Sequence, residues 1–197
     1  AEEICTPSAS NRYVGFPYTK YLNSVIQVNQ GAAVIMTSLA KARELGIPDE
    51  RLVYLHGCAD AHDLWHVTER VNYHSSPAVR VMGERAMAMS GRGIEEMDFL
   101  DIYSCFPSAV QVAMKALGVA EDRAVTVTGG LTFAGGPLNN YVMHGIARMV
   151  DLLRADPGKR GLVTANGGLL TKHALCLYSS EPPPRGFAWQ NVQDDVD

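Results

Sequence analysis

No apolar run in this chain approaches the roughly 20 residues that cross a bilayer, so no membrane span is expected in its 197 residues. Its four cysteines, Cys5, Cys58, Cys105 and Cys176, are scattered, and no two stand in C-x-x-C spacing. That argues against a disulfide framework or a zinc site and points to a reducing, cytoplasmic setting. Positive charge is also short. Seventeen Lys and Arg against 21 Asp and Glu leave a formal net charge of -4, which gives no electrostatic footprint for nucleic acid. No internal repeat is found. What remains, 47% hydrophobic and 19% charged residues, is the composition of an ordinary globular enzyme domain.

The residue pattern predicts alternating strands and helices. Residues 1–20 carry Pro7, Gly15 and Pro17 without periodicity and read as a connecting loop. Ala32 to Met36 reads as a buried strand. Ser38 is placed to cap a helix from Leu39 to Leu45 that Gly46 and Pro48 end. Arg51 to Leu55 reads as a strand, and Gly57 to Tyr73 as a His- and Asp-rich loop with a short helix. Ser76-Pro77 is a helix start, with Gly91 as the stop. Phe99 to Tyr103 is the next strand, followed by a helix over Ser108 to Leu117. Val142, Ile146, Met149, Val150 and Leu153 mark an amphipathic helix within Asn139 to Leu153. The sum is an α/β layer architecture.

Two glycine-rich turns, about thirty residues apart, are the most informative feature. The first follows a predicted strand, Arg123 to Thr128, and reads Gly129-Gly130-Leu131-Thr132-Phe133-Ala134-Gly135-Gly136-Pro137. The second follows the predicted strand Gly161 to Thr164 and reads Ala165-Asn166-Gly167-Gly168. It leads through Lys172-His173 into an apolar run, Ala174 to Tyr178, close enough to pair antiparallel with the strand before it. Such turns let backbone approach a ligand closely. They are expected side by side at one edge of the sheet, holding a carbonyl or thioester, with the Tyr103 hydroxyl facing the same pocket.

On these residues the stretch from about Asn23 to Tyr178 resembles the C-terminal part of the thiolase superfamily. The likeness is nearest to its sterol-carrier-protein-2-type and mycobacterial thiolase-like branch. Asn23 to Ala33 is similar to the asparagine-rich run that closes the family's N-terminal half. The resemblance implies residues 1–50 as the end of that half and a connecting segment. It implies residues 51–180 as the C-terminal domain, a βαβαβαββ mixed sheet with helices on both faces. Residues 181–197, opening on Glu181-Pro182-Pro183-Pro184, are expected to be a linker and the start of a further segment. With Ala1 at the beginning, the chain is expected to be a piece of a longer polypeptide.

Position by position, the likeness is mixed. Tyr103-Ser104-Cys105-Phe106 matches the family's Asn-Glu-Ala-Phe or His-Asp-Cys-Phe motif, with Tyr103 in the polar position. Its hydroxyl can donate to an oxyanion or a water, or simply pack at a strand end. The first glycine turn matches Gly-Gly-x-x-x-x-Gly-His-Pro, with Gly136 where the family has its histidine. The second matches Cys-x-Gly-Gly-Gly, with Ala165 at the family's acid/base cysteine. Neither Gly136 nor Ala165 can move a proton. His173 falls near a histidine of the sterol-carrier branch and reads either as a site residue or as a structural one. Asn166 is a candidate amide donor. The catalytic candidates are therefore Tyr103, His173 and Asn166, and the ligand-holding turns are represented by Gly135, Gly136, Gly167 and Gly168.

The resemblance implies a fragment of an acyl-CoA acyltransferase that condenses or cleaves 3-ketoacyl-CoA, inactive on its own. The coenzyme A thioester is the substrate and no cofactor is bound covalently. Two alternatives stand beside it: a thiolase-fold aldolase for CoA-linked side chains, and a non-catalytic acyl-CoA binding or scaffold protein. A homo-oligomer, or pairing with the absent N-terminal half, is expected to cover an exposed apolar face. In the cluster His56, Cys58, Asp60, His62, Asp63 and His66, His62 and His66 stand four apart, but no Glu follows His62 as the His-Glu-x-x-His zinc motif requires. It reads as a pocket-lining or dimer-contacting loop or as a solvated one, and no metal is expected.

Overall fold

The computed structural model describes residues 2–187 and 189–196. It opens with a helical turn, α1 (Glu2–Cys5), and a small hairpin of β1 (Tyr13–Gly15) and β2 (Tyr18–Thr19). The expected loop is thus partly structured, and side chains rather than periodicity do the work. Asn11 donates to the carbonyls of Glu3, Ile4 and Thr6 and accepts from the Tyr21 N–H. The short helix α2 (Leu39–Glu44) begins as expected, with the Ser38 hydroxyl accepting from the Lys41 N–H.

Four strands form the main sheet: β3 (Tyr54–His62), β4 (Phe99–Asp101), β5 (Arg160–Gly167) and β6 (Lys172–Ser179). Their order is β3-β6-β5-β4, with β6 antiparallel to both neighbours and β4 parallel to β5. Between them lie α3 (Pro77–Ser90), α4 (Pro107–Leu117), the single turn α5 (Gly130–Phe133) and α6 (Tyr141–Ala155). The fold is therefore the expected α/β arrangement, a mixed sheet with helices on both faces. Ser76 caps α3 through the Val79 N–H, Pro77 occupies its first turn, and Gly91 closes it.

Alternation along the strands sorts the core into two layers. Leu162, Leu175 and Leu177 face α3 and α4, packing with Met82, Ala86, Leu100 and Ile102. Val163 and Tyr178 face the other way, against Met149 and Leu153 of α6. Truncating a fully buried leucine such as Leu162 to alanine is expected to cost about 2–5 kcal/mol.

Three elements differ from expectation. Residues 123–128 form no strand; they run beside β4 with one backbone bond, from the Ile102 N–H to the Val125 carbonyl, at 2.9 Å. Side chains fix the rest of this segment, so the sheet has four strands, not five. Ala32 to Met36 is irregular and open, with Ile35 96% exposed and Met36 76%. Strand β3 starts later than predicted and continues to His62, through residues read as loop, because β6 pairs with it as far as Lys172. The chain after Ser179 also returns to the sheet. Val192, in the stretch expected to be a linker and the start of a further segment, is 1% exposed in the core, and Trp189 bridges to Cys58 of β3.

Candidate functional site

The sheet brings four strand ends to one place. Parallel strands β4 and β5 both finish there, antiparallel β6 begins there, and β3 ends there opposite Lys172. In open α/β sheets ligands gather outside the carboxyl ends of the parallel strands. Here that end holds a cavity of about 600 Å³. Tyr103, Ala165, Asn166, Gly167 and His173 line it, with Leu138 and Val142 from the start of α6 and His62 and Trp65 beyond β3.

Tyr103 follows β4, and its N–H donates to the Thr164 hydroxyl at 2.9 Å. Its ring stands edge-on to Tyr141, 5.6 Å between centroids. Burial, helped by nearby Cys105, pushes its pKa above the ordinary tyrosine value. The hydroxyl therefore keeps its proton at neutral pH and is available as a donor.

Asn166 and His173 are directly opposite on β5 and β6. Adjacent cross-strand side chains point to the same face, here toward α3 and α4. His173 is 6% exposed, and its Nε2 lies 3.2 Å from Asp63 Oδ2. Sequence reading placed Asp63 only in the His- and Asp-rich cluster and gave it no role beside His173. Its carboxylate also accepts from the Ser76 hydroxyl at 2.5 Å and from the Ala78 N–H at 3.1 Å, at the start of α3. Burial opposes its ionisation, but the bonds from His173, Ser76 and Ala78 prevail and hold its pKa below the ordinary value. With Nε2 directed to Asp63, Nδ1 is the ring nitrogen left for a ligand. Asn166 reaches Cys105 Sγ at 3.7 Å through Nδ2, while its buried Oδ1 has no hydrogen-bond partner among the described residues.

The glycine turns divide. Gly167 borders the cavity, and the stem of Lys172 lies across it. Gly168 belongs to the tight connection between β5 and β6, where the Thr171 N–H and hydroxyl both donate to the Gly167 carbonyl. Gly135 and Gly136 sit elsewhere, against the segment 24–30. The Gly136 N–H donates to the Val25 carbonyl at 2.8 Å, and a β-carbon on Gly136 would lie 2.0 Å from the Ser24 hydroxyl. Gly167 of the second turn and Tyr103 border the same cavity, whereas no glycine of the first turn does. The first turn reaches the cavity through Leu138 and Asn139, just beyond it.

Around the rim, the Trp65 ring lies tilted against the His62 ring, 4.9 Å between centroids. Gln193 fixes the His62 backbone, accepting its N–H at 2.8 Å and donating to its carbonyl at 3.0 Å. The histidine-rich stretch is thus largely strand β3 and its continuation. Among the described residues no group of three or more metal-ligating side chains converges. Nor is any helix among them long and apolar enough to cross a membrane. Asp63 carried no local signal, since its partners lie 13 and 110 residues away.

No protein-family model matches the chain. Among solved structures it is similar to a monomeric SCP2-thiolase like protein type 1 from Mycobacterium smegmatis. That match has 40% identity and a TM-score of 0.90, and covers 100% of this chain and 44% of the other. Among curated proteins it is similar to the cytosolic acetyl-CoA acetyltransferase ERG10 of Gibberella zeae. Identity there is 28% over 143 residues, 72% of this chain and 34% of the relative. Acetyl-CoA acetyltransferase 1 of Arabidopsis thaliana is 27% identical over 138 residues, covering 70% and 31%. The chain therefore spans less than half the length of these relatives. Its fold, its order of elements and its full-length likeness to a solved relative agree: this chain belongs to the thiolase superfamily.

Proposed function

We propose that this chain is the C-terminal half of a thiolase-like protein and binds the acyl end of a coenzyme A thioester in the cavity at the sheet's end. The observation that carries this reading is the meeting of Tyr103, Asn166 and His173 around one cavity, beside backbone that includes Gly167. Tyr103 supplies a protonated hydroxyl for a thioester oxygen. Asn166 adds an amide whose oxygen still lacks a partner, and His173 adds a ring nitrogen oriented by Asp63. The relatives that are acetyl-CoA acetyltransferases support a two-carbon acyl group as the first ligand to try.

Acyl transfer itself needs a nucleophile, a base and an oxyanion hole. The family's two proton-moving positions in this half hold Gly136 and Ala165, so binding with little or no thiolysis is the activity proposed. Loss of a general base costs about 10²–10⁴-fold. The placement of Gly136, with its N–H already bonded to Val25, favours this binding reading over full acyltransferase activity.

Equilibrium titration with acetyl-CoA and with free coenzyme A tests the proposal. The thioester is expected to bind more tightly than the thiol, and Tyr103→Phe to remove about 1 kcal/mol of that preference, roughly fivefold. Equal binding of both ligands, unaffected by Tyr103→Phe, would remove the thioester assignment. Robust thiolysis of a short 3-ketoacyl-CoA by the unmodified full-length protein would replace the binding reading with a catalytic one. His173→Ala would then be the first variant to compare.

A further inference from the structure

On the α6 side of the sheet, two residues below the cavity wall, Cys58 of β3 and Cys176 of β6 stand directly opposite each other. Their sulfurs are 2.9 Å apart, with the Cys58 thiol donating to Cys176. Each is only half-buried, and both carry free thiols. Above them on the same face, Asp60 and Ala174 form the next cross-strand pair and border the cavity. Neighbouring strands in register place paired α-carbons within the range a disulfide spans, about 4.4–6.8 Å. The other two cysteines are set apart from this pair. Cys5 is exposed at the end of α1, and Cys105 lies just before α4 beside Asn166.

We propose that Cys58 and Cys176 form a reversible redox-modification site, a dithiol that hydroperoxides convert to an intramolecular disulfide across β3 and β6. The chemistry balances with hydrogen peroxide as the oxidant. The Cys176 thiolate attacks one peroxide oxygen, the O–O bond breaks, and water leaves once the departing hydroxide takes up the proton that the thiol released. The product is a sulfenic acid on Cys176. The Cys58 sulfur then attacks the Cys176 sulfur, the S–O bond breaks, and a second water leaves with the Cys58 proton. The two thiols are oxidised by two electrons in all, and the peroxide is reduced to two waters.

The surroundings assign the order of events. Cys176 receives the Cys58 S–H and a hydroxyl contact from Tyr178, which stabilise its thiolate and lower its pKa. Burial, and after it the charge of Asp60 on the same face, act against this and raise it. Cys58, as the donor to a neighbouring sulfur, is held above the ordinary thiol value. Cys176 is therefore the attacking thiol and Cys58 the resolving one. Trp189 is bridged to Cys58, and its indole N–H donates to Asp60 Oδ1 at 3.3 Å, so the returning tail lies beside the pair.

The experiment is graded hydrogen peroxide on the folded chain, then thiol alkylation in denaturant and peptide mass spectrometry. The expected result is one linked peptide pair joining Cys58 to Cys176, with the intact mass lower by two hydrogens and restored by dithiothreitol. Cys5 and Cys105 stay available to the alkylating agent. Cys58→Ala is expected to leave Cys176 as a sulfenic acid, trapped by dimedone, and Cys176→Ala to leave Cys58 slower to react than in the parent. Circular dichroism on both variants keeps the test valid, and if either unfolds, the parent's linked peptide alone decides. Over-oxidation of single cysteines without a linked pair would overturn the proposal, as would a disulfide through Cys5 or full alkylation of Cys58 and Cys176.

Discussion

Two buried aspartates sit at the two glycine turns, and their opposite behaviour separates a scaffold from a site. Asp101, at the end of β4, anchors the approach to the first turn: its carboxylate accepts from the Val127 N–H at 3.1 Å and the Thr126 hydroxyl at 3.0 Å. Burial dominates there and raises its pKa, against the pull of those bonds. Asp63 anchors the second turn. Its N–H donates to the Thr171 carbonyl at 2.8 Å, and its carboxylate meets His173 and the start of α3. Its bonds outweigh its burial, and its pKa falls. The first turn is held by a carboxyl that resists charge and is packed against segment 24–30. The second is held by a carboxylate that welcomes charge and opens onto the cavity.

The largest test of that contrast is Asp63→Ala. It removes the acceptor of the Ala78 N–H in the first turn of α3, a contact of the size of a helix cap at about 1 kcal/mol, and a charged acceptor for a buried imidazole, worth about 1.5–3 kcal/mol. A loss near 3 kcal/mol is expected in urea unfolding. Asp63→Asn keeps the shape and one acceptor oxygen and should recover part of it. A loss below about 0.5 kcal/mol, the size of an ordinary surface substitution, would mean that the aspartate does not hold the second turn.

Next in size is Gly130→Ala, a test of the first turn as scaffold. Gly130 has φ +77°, and a β-carbon there would meet the Ser104 hydroxyl at 2.6 Å, the same hydroxyl that accepts the Leu131 N–H. The backbone penalty of about 1–2 kcal/mol adds to the displaced hydrogen bond, so about 2 kcal/mol is expected by thermal denaturation, with ligand affinity unchanged. Gly136 has no such backbone constraint, and the atom a β-carbon there would clash with is the Ser24 hydroxyl. Ser24→Ala with Gly136→His should therefore fold, and in the full-length protein it should raise thiolysis if a nucleophile is present.

Much of this frame was legible in the sequence because its signals are local. Ser76-Pro77 and Gly91 bound α3, the spacing from Val142 to Leu153 marks α6, and the short link after Gly168 implies that β5 and β6 pair. Less legible were features that depend on distant partners. Strand β3 runs through a histidine-rich stretch because β6 lies beside it, and residues 123–128 stay out of the ladder because side chains of β4 hold them instead. Ala32 to Met36 is apolar enough for a strand, but no sheet edge meets it. Within the site, Tyr103, Asn166 and His173 could be named from motifs. Asp63 could not, because only folding brings it to His173.

The aspartates also predict opposite pH dependences. The folded pKa of Asp101 lies above its unfolded value, so its contribution to stability is fully present below the unfolded value. It is lost as pH rises through the raised folded one. Asp63 is the reverse: its contribution is present above the unfolded pKa and lost as pH falls through the lowered folded value. Each proton changes the slope by at most about 1.4 kcal/mol per pH unit. Asp101→Asn should flatten the decline above the ordinary carboxylate range, and Asp63→Asn the decline on the acid side. Unfolding free energies across that range check both, and a swap of the two effects would reverse the comparison.

The smallest stability effect expected is also the sharpest test of what the second turn is for. Asn166 places a side-chain oxygen out of contact with water and gives it no hydrogen-bond partner among the described residues. A buried acceptor left in that state is a cost to the folded chain, typically about 1–3 kcal/mol. Asn166→Ala removes that cost along with the weak bond to Cys105 and some packing, so the net change in stability should stay within about 0.5 kcal/mol. An amide N–H on the pantetheine arm of the ligand would satisfy the same oxygen, and the variant would lose that bond. Acetyl-CoA affinity should therefore drop by about 1 kcal/mol, roughly fivefold, at nearly unchanged stability. The reverse outcome, a clear loss of stability with affinity intact, would make Asn166 a structural residue. The second turn would then be as much a scaffold as the first.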